Sequence, residues 1–339
     1  MHSSTVTAVD LFSGCGGLSL GLKAAGLNVL AGVEIDAKAA ATYRANHSDV
    51  CLFQRDIDHL DPAELMISVA LKRGELDLLA ACPPCQGFSR IRTRNGARTA
   101  EDPRNELALR FLAFALALYP KHVLLENVPG LLNQRVWRAI VSGLESAGYQ
   151  LTHSVVDASN YGVPQRRKRL ILLGSRISKP FIPKPIDGKV TVRSALGQIN
   201  DAMGDSLHNL RPAHSLAVRS IIRSVPVDGG SRRDIPEHLR LACHKKTDGF
   251  GDVYGRMRWD DVAPTITSGC INPSKGRFIH PQEDRAITLR EAALLQGFPV
   301  SYRFDTGMGK ESLALMIGNA LPPAMIEAHA KVLVTKGSP

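Results

Sequence analysis

The sequence lacks the features of a membrane-spanning protein and of a small secreted protein. No apolar run reaches the roughly 20 residues that a helix needs to span a bilayer. The first thirty residues show no charged segment followed by an apolar core and a cleavage site. The 6 cysteines among 339 residues are scattered and form no dense disulfide framework. We therefore expect a cytoplasmic protein of a reducing compartment, with no membrane partner.

The composition is that of a globular protein with an excess of basic residues. The chain is 44% hydrophobic and 22% charged, and its formal net charge is +10. Its length allows one large domain and a smaller one. The positive charge favours a polyanionic partner, nucleic acid first, although many basic proteins bind no such partner.

Apolar runs alternate with helical patterns over residues 5–180. The runs predict buried strands, which indicates a doubly wound, mostly parallel α/β sheet covered on both faces. Residues 181–285 are richer in Pro, Gly, Arg and His and predict a smaller, loop-rich domain. Residues 286–339 regain a helical pattern, and we expect them to return to the first domain. The predicted strands are Val6–Phe12, Val29–Val33, Leu76–Ala81, Val123–Leu125 and Leu170–Leu173.

A glycine-rich turn, Asp10–Gly17, follows the first predicted strand and opens a helix. Its glycines allow a tight turn and a close approach of the backbone to a ligand. Its spacing is neither the dinucleotide GxGxxG nor a P-loop. Glu34 ends the next strand, where an acidic side chain can accept hydrogen bonds from ribose hydroxyls. A plain turn with structural glycines is the alternative.

The pentapeptide Pro83-Pro84-Cys85-Gln86-Gly87 follows the strand Leu76–Ala81. Proline fixes φ and removes a backbone donor, so Cys85 is held in a fixed pose at the strand end. We interpret Cys85 as a nucleophile. An inert buried cysteine, or a redox or metal role for the CxxC formed with Cys82, are the alternatives. The other cysteines lack the spacing of a structural zinc site, and no metal is expected.

Two further motifs carry charge at strand ends. Glu126-Asn127-Val128 ends a predicted strand, and its carboxylate has the chemistry of a proton donor to a ring nitrogen. In Gln165–Arg169 the alternation of a strand would point Arg167 and Arg169 to one side, where paired donors can orient a carbonyl or a phosphate. A solvated basic face is the alternative.

The segment after Cys85 is basic and has no helix or strand periodicity. It includes Ser89, Arg90, Arg92, Arg94 and Arg98. We interpret it as a mobile loop that closes over a polyanion. An exposed connector is the alternative.

These strings, in this order and over almost the whole chain, resemble the bacterial DNA (cytosine-5)-methyltransferases. Two segments near the C-terminal end, Arg290–Pro299 and Ile317–Pro323, are also similar to motifs of this family. One departure is Cys82, a second thiol three residues before the nucleophile, where a small residue such as glycine is common.

The resemblance implies the fold of class I S-adenosylmethionine-dependent methyltransferases and a set of site residues. The implied catalytic residues are Cys85, Glu126, Arg167, Arg169 and Gln86. The implied S-adenosylmethionine-binding residues are Asp10, Phe12, Ser13, Gly14, Cys15, Gly16, Glu34, Ile35, Asp56, Ile57, Pro83, Leu107, Asn319 and Ala320. The implied DNA-binding residues are Ser89, Arg90, Arg92, Arg94, Arg98, Gln165, Arg256, Arg258 and Thr265.

The implied reaction is methylation of C5 of a flipped-out cytosine through a covalent bond between Cys85 and C6. Residues 181–285 take the place of the family's target-recognition region. The implied partners are double-stranded DNA and a separately acting restriction endonuclease, unless the enzyme works alone. A monomer in the nucleoid is expected. Three alternatives stay open: an RNA cytosine-5 methyltransferase, a non-catalytic DNA-binding module and a CxxC oxidoreductase.

Overall fold

The computed structural model describes residues 6–84, 106–199, 206–241 and 251–334. The chain forms two compact units. The first unit comprises Met1–Tyr161, Lys168–Pro185 and Leu321–Pro339, and the second comprises Gly162–Arg167 and Ile186–Ala320. The functional division of the chain at residues 180 and 285 is a separate hypothesis and stays a prediction.

The first unit contains a seven-stranded mixed sheet in the order β3-β2-β1-β4-β5-β7-β6. Every neighbouring pair from β3 to β5 is parallel, whereas β7 is antiparallel to both β5 and β6. The predicted α/β architecture is therefore present, with one strand reversed. The strands are β1 (Thr7–Leu11), β2 (Asn28–Val33), β3 (Cys51–Phe53), β4 (Leu78–Ala81), β5 (His122–Asn127), β6 (Gln150–Asp157) and β7 (Lys168–Ser175).

Helices connect the strands of the first unit and make up most of the regular structure of the second. In the described ranges, no helix is long and apolar enough to cross a membrane. The α-helices are α1 (Gly17–Ala24), α2 (Ala37–Asn46), α3 (Pro62–Ser68), α4 (Leu107–Leu118), α5 (Arg135–Ser146), α6 (Val192–Leu196), α7 (Ser206–Asn209), α8 (Leu216–Ser224), α9 (Leu289–Leu295), α10 (Lys310–Asn319) and α11 (Pro323–Val334). Short 3-10 helices span Ile57–His59, Pro129–Asn133, Ala158–Tyr161, Arg232–Asp234, Glu237–Leu239, Pro273–Lys275 and Thr306–Met308.

Local sequence explains where several helices begin and end. Asp36 precedes α2 and accepts a hydrogen bond from Ala39 N at 2.8 Å, which satisfies one of the free N–H groups of the first turn. Asp61 caps α3 in the same way, and Pro62 occupies its first position. α4 ends at Tyr119, which adopts the left-handed conformation with φ of 52°.

The side chains of the first sheet alternate between its two faces. One face carries Leu11 of β1 and Leu125 of β5, and it packs against Phe111 and Phe114 of α4 in a continuous apolar core. The alternation therefore directs the intervening polar residues of these strands to the opposite face. On the opposite side of the chain's first unit, α1 packs against α11. A Cβ at Gly21 would lie 2.5 Å from Pro323 O, so this helix contact requires glycine.

The second unit has its own smaller core. It is built around Ile222 of α8, Ile235, Tyr254 and Ile279. α9 is buried along its whole length, and it begins with a capping box between Thr288 and Glu291. No sheet spans the described residues of this unit. Its apolar core and its capped helices therefore stabilise it.

Candidate active site

A buried carboxylate with two partners lies at the carboxyl edge of the first unit's sheet. Glu126, near the end of β5, is 2% exposed. Its Oε1 is paired with Nε of Arg169 at 2.8 Å. Its Oε2 accepts a hydrogen bond from the thiol of Cys82, whose Sγ lies 2.8 Å away. A carboxylate can be buried when it is paired and hydrogen-bonded; here Oε2 has the hydrogen bond, and Oε1 has the ion pair with Arg169 without hydrogen-bond geometry.

Three adjacent strands bring these side chains together. β4 and β5 pair in parallel up to the last residue of β4, so the following position, Cys82, comes beside Glu126. Arg169 is on β7, the antiparallel neighbour of β5. Asn127 Nδ2 donates to Pro83 O at 3.1 Å. The end of β5 therefore fixes the main chain that leads out of β4.

The structural roles of Cys82 and Asn127 are additions to the site predicted from the sequence. Both residues belong to strings that the sequence analysis singled out. Their partners depend on which strands are neighbours and in what register, and neither string carries that information. The sequence indicated only that both residues lie at the ends of buried strands.

Part of the predicted site lies outside the described residues. This applies to the predicted nucleophile and to the whole basic segment that follows it. Those residues are Cys85, Gln86, Ser89, Arg90, Arg92, Arg94 and Arg98. Pro84, the residue before Cys85, is the last described residue of this stretch.

The glycine-rich turn has a backbone that few residues other than glycine adopt. Phe12, Gly14 and Gly16 have φ of 61°, 55° and 100°, which lie in the left-handed region. The hydroxyl of Ser13 accepts a hydrogen bond from Val33 N at 3.0 Å, so the turn is tied to β2. A Cβ at Gly14 would meet no atom of the described residues within 4 Å. The turn thus leaves open space beside its backbone.

Glu34 links this turn to the end of β2. Its Oε2 accepts from Gly14 N at 2.8 Å and its Oε1 from Asp36 N at 2.7 Å. Burial raises the pKa of Glu34, and these N–H groups oppose that effect by stabilising the ionised form. Ile35, the next residue, is 64% exposed. An exposed apolar side chain therefore stands beside a fixed acidic group.

Asp10 lies beneath the turn and is fully buried. Its Oδ2 accepts from Ser19 Oγ at 2.6 Å, and the Ser19 hydroxyl is also 2.7 Å from the hydroxyl of Tyr43. Among the residues that the structure describes, none forms a hydrogen bond with its Oδ1. Burial raises the pKa of Asp10 from 3.8 to about 7. Burial likewise raises the pKa of Cys15 to about 12, so that side chain stays a thiol.

The predicted S-adenosylmethionine-binding residues Asp56 and Ile57 lie at the start of a short 3-10 helix after β3. Asp56 caps it by accepting from Asp58 N at 3.0 Å. Ile57 is buried, and its carbonyl accepts from Arg110 of α4 at 2.8 Å. Leu107 begins α4. The hydrogen bond from Arg110 therefore ties this 3-10 helix to α4, the helix that begins with the predicted residue Leu107.

Arg167 is buried in the second unit, where it binds backbone carbonyls. It is 4% exposed. Its Nη1 donates to Ile266 O at 3.0 Å, and its Nη2 donates to Gly318 O and to Ala320 O, each at 3.2 Å. The guanidinium thus joins two separate segments, the second of which carries the predicted cofactor residues Asn319 and Ala320.

Gln165 has a similar environment. It is fully buried, and its Nε2 donates to Gln296 Oε1 at 2.6 Å and to Leu295 O at 3.0 Å. Its Oε1 accepts from Ile266 N at 2.8 Å. The amide is therefore engaged on both its nitrogen and its oxygen within the second unit.

The three other predicted DNA-binding residues in the described ranges differ in accessibility. Arg256 is 1% exposed and donates to carbonyls that include Val225 O and His280 O. Arg258 is exposed. Thr265 donates to Arg166 O at 2.6 Å at a partly exposed position. Among the three, Arg258 has the most accessible side chain.

The sequence comparisons identify the family. Residues 6–335 match the model of the C-5 cytosine-specific DNA methylases.

The chain belongs to the C-5 cytosine-specific DNA methylases.

It is 37% identical over 339 residues to the Type II methylase M.HgiDII of Herpetosiphon aurantiacus, covering 95% of this chain and 93% of that protein. It is 31% identical over 342 residues to the Type II methyltransferase M1.BsuMI of Bacillus subtilis (strain 168), covering 95% and 79%.

Solved structures agree with this assignment. A prophage-encoded protein from E. coli, described as a DNA modification methyltransferase, matches with a TM-score of 0.69 at 27% identity, over 97% of this chain and 98% of that chain. The methyltransferase EhMeth of Entamoeba histolytica matches with a TM-score of 0.69 at 16% identity, over 98% of each chain. The second match shows the shared fold alone.

Proposed function

We propose that this DNA cytosine-5 methyltransferase transfers a methyl group from S-adenosylmethionine to C5 of a flipped-out cytosine, with Cys85 as the nucleophile. The observation that carries the proposal is the position of Glu126. Its carboxylate lies between Arg169 and Cys82. Cys82 precedes the proposed nucleophile, Cys85, by three residues in the sequence. An acid group and a guanidinium next to a nucleophile form the set that activation of a pyrimidine ring requires.

The described residues fit S-adenosylmethionine. The open space beside Gly14 lets the backbone come close to a ligand. The carboxylate of Glu34 is fixed by backbone N–H groups and has lone pairs left to accept from ribose hydroxyls. S-adenosylmethionine supplies a methyl group on a sulfonium, an electrophile that carbon can attack.

Residues of the first unit would hold the cofactor in two ways. The turn Phe12–Gly16 and Pro83 would contribute mainly backbone, because the Cys15 thiol and the Asp10 carboxyl are turned into the core. Ile35, Asp56, Ile57 and Leu107 would line the nucleoside side. Asn319 and Ala320 stay proposed cofactor residues because they belong to the family-like motif Ile317–Pro323. This assignment makes Asp10 a support for the turn that acts through Ser19.

The chemistry begins at C6 of the cytosine. The Cys85 thiolate would form a bond to C6, and the electrons of the C5=C6 double bond would move toward C5 and N3. Glu126 would donate a proton or a hydrogen bond to N3, which limits the charge on the ring. Arg169, already paired with Glu126, would hold the base carbonyl.

The nucleophilic C5 can then accept the methyl group. A base next removes the C5 proton, the C–H electrons restore the C5=C6 double bond, and the Cys85 sulfur leaves C6 as a thiolate. The ring atoms lie inside the stack of a duplex, so the cytosine must be flipped out first. We propose that Gln86 acts in catalysis and that Ser89, Arg90, Arg92, Arg94 and Arg98, all outside the described residues, contact the DNA.

The buried residues of the second unit have a supporting role in this account. Arg167 and Gln165 would position the segments around Ile266 and residues 318–320, since their polar atoms bind those segments. Arg256 would do the same for residues 280–284. Arg258 and Thr265 would contact DNA directly. Charge contacts would set the position on the duplex, and base edges in the major groove would specify the sequence.

We further propose that the enzyme is a monomer that modifies a short duplex sequence, either beside a separately acting restriction endonuclease or alone. The Type II names of its relatives support the first arrangement. A region within residues 181–285 is the proposed target-recognition part. We propose that the enzyme acts on nucleoid DNA.

Methylation sequencing in cells tests the proposal. Wild type, Cys85→Ser and Glu126→Gln would be expressed in a host that lacks 5-methylcytosine, with Cys51→Ser as the control for an exposed thiol. We expect one short motif to carry 5-methylcytosine in wild type and Cys51→Ser, and in neither other variant. Absence of methylated DNA in all strains would contradict the proposed substrate, and methylated RNA would then identify the alternative. Full methylation by Cys85→Ser would contradict the proposed nucleophile.

A further inference from the structure

The Cys82 thiol contacts the proposed acid group directly. Its Sγ lies 2.8 Å from Glu126 Oε2, on the side of the carboxylate opposite Arg169, which binds Oε1. The thiol is half-buried and is not in a disulfide. Cys82 stands where a small residue such as glycine is common in sequences of this kind.

We propose that Cys82 is a positioning residue of the methyl-transfer reaction: its S–H fixes the rotation of the Glu126 carboxylate. This inference rests on the proposed role of Glu126. A carboxylate held at one oxygen can still turn about its terminal bond, since that torsion is broad. The ion pair at Oε1 lacks hydrogen-bond geometry, so the hydrogen bond at Oε2 is the directional contact that restricts this rotation.

The main chain around Cys82 supports such a role. Cys82 N donates to Leu11 O at 3.3 Å, and the next carbonyl, Pro83 O, accepts from Asn127. The Cβ of Cys82 is therefore located by contacts to strands on both sides. A side chain of the same length at this position reaches the carboxylate without further movement of the backbone.

The chemistry of the thiol suits a contact that must be shared with a substrate. An S–H is a weak donor, so it orients Glu126 and yet leaves its oxygens able to bind the ring nitrogen of cytosine. Its loss would lower the fraction of enzyme with a productive carboxylate. A reduction of the rate of chemistry follows, with little change in the binding of DNA or cofactor.

The test compares side chains at residue 82 that keep or lack a donor. Cys82→Ser keeps the donor, Cys82→Val removes it at a similar volume, and Cys82→Ala removes both. Cys51→Ala is the control for loss of a thiol elsewhere in the same sheet. For each purified protein, single-turnover methylation rates, KM for DNA and S-adenosylmethionine, and the thermal transition would be measured on duplex DNA that contains the target motif.

We expect Cys82→Val and Cys82→Ala to reduce the rate about tenfold, the size of effect that loss of one hydrogen bond to a charged group produces. Both KM values should stay within about twofold, and Cys82→Ser should recover most of the rate. In a Glu126→Asp background, where the shorter side chain cannot reach the thiol, Cys82→Val should add little. If Cys82→Ala does not fold, the single-turnover rates of Cys82→Ser and Cys82→Val test the proposal.

Wild-type rates in both Val and Ala variants would overturn the proposal. So would equal losses in Ser, Val and Ala, because the donor would then be irrelevant. A wild-type rate in Glu126→Gln would instead contradict the proposed function on which the inference rests. The two failures are therefore distinguishable within one set of proteins.

Discussion

Asp10→Asn should change how the stability of the protein depends on pH. Asp10 is fully buried, and its pKa is raised from 3.8 to about 7 chiefly by burial. Below pH 3.8 both the folded and the unfolded chain bind this proton. Between pH 3.8 and 7 the unfolded chain releases it and the folded chain keeps it, so the free energy of unfolding falls as pH rises. Above pH 7 the loss is complete.

The magnitude follows from the distance between the two pKa values. Each pH unit is worth about 1.36 kcal/mol, so a gap of about three units corresponds to about 4 kcal/mol. Asparagine cannot ionise, and its carbonyl oxygen can still accept from Ser19. The free energy of unfolding of Asp10→Asn, relative to wild type, should therefore rise by about 4 kcal/mol between pH 4 and pH 8.

Urea unfolding at pH 4, 6 and 8 measures this difference. The comparison of pH values cancels any penalty from the new amide N–H that does not depend on pH. Asp187→Asn, at an exposed position, is the control and should show no such trend. A difference between Asp10→Asn and wild type that is flat across the range would refute the reasoning.

Further predictions concern the two arginines and one glycine. Arg169→Leu leaves Glu126 buried without its cation, so it should lower the free energy of unfolding by about 3–5 kcal/mol in chemical denaturation and abolish methylation; unchanged stability would contradict the ion pair. Arg167→Ala should lower the free energy of unfolding by about 3 kcal/mol, because the buried carbonyls of Ile266, Gly318 and Ala320 lose a charged donor, and Arg167→Lys should recover part of it. Gly318→Ala should be strongly destabilising in a thermal scan, since its Cβ would overlap the backbone at Ser268 N and Thr267 C. Gly251→Ala, where a Cβ meets no atom of the described residues, should change the transition little.

Part of the fold could be predicted from the sequence because buried parallel strands are continuous apolar runs. β4 and β5 are buried at every position, and both were predicted. β6 (Gln150–Asp157) was missed because it is an edge strand whose residues are mostly exposed or half-buried, so it is not a continuous apolar run. The reversed direction of β7 was also missed. Strand direction is set by pairing with β5 and β6, and the apolar pattern of β7 is the same in either direction.

The candidate site shows the same division between local and tertiary information. The strings around Glu126 and Cys82 were visible in the sequence, but their contact depends on the register of β4 and β5. Simple alternation placed Arg167 and Arg169 on one side. In the structure β7 begins at Lys168, so Arg167 precedes the strand and binds carbonyls of the second unit while Arg169 binds Glu126.

The central claim, that Cys85 attacks cytosine while Glu126 assists at N3, is tested most directly by trapping the covalent complex. A duplex that contains the target motif with 5-fluorocytosine would be incubated with the enzyme and S-adenosylmethionine. With fluorine at C5 there is no C5 proton for the base to remove, so the final elimination that releases Cys85 from C6 is blocked. The account predicts a DNA adduct on the peptide that contains Cys85, formed much more slowly by Glu126→Gln. An adduct on another cysteine, or none with an enzyme that methylates the normal duplex, would contradict it.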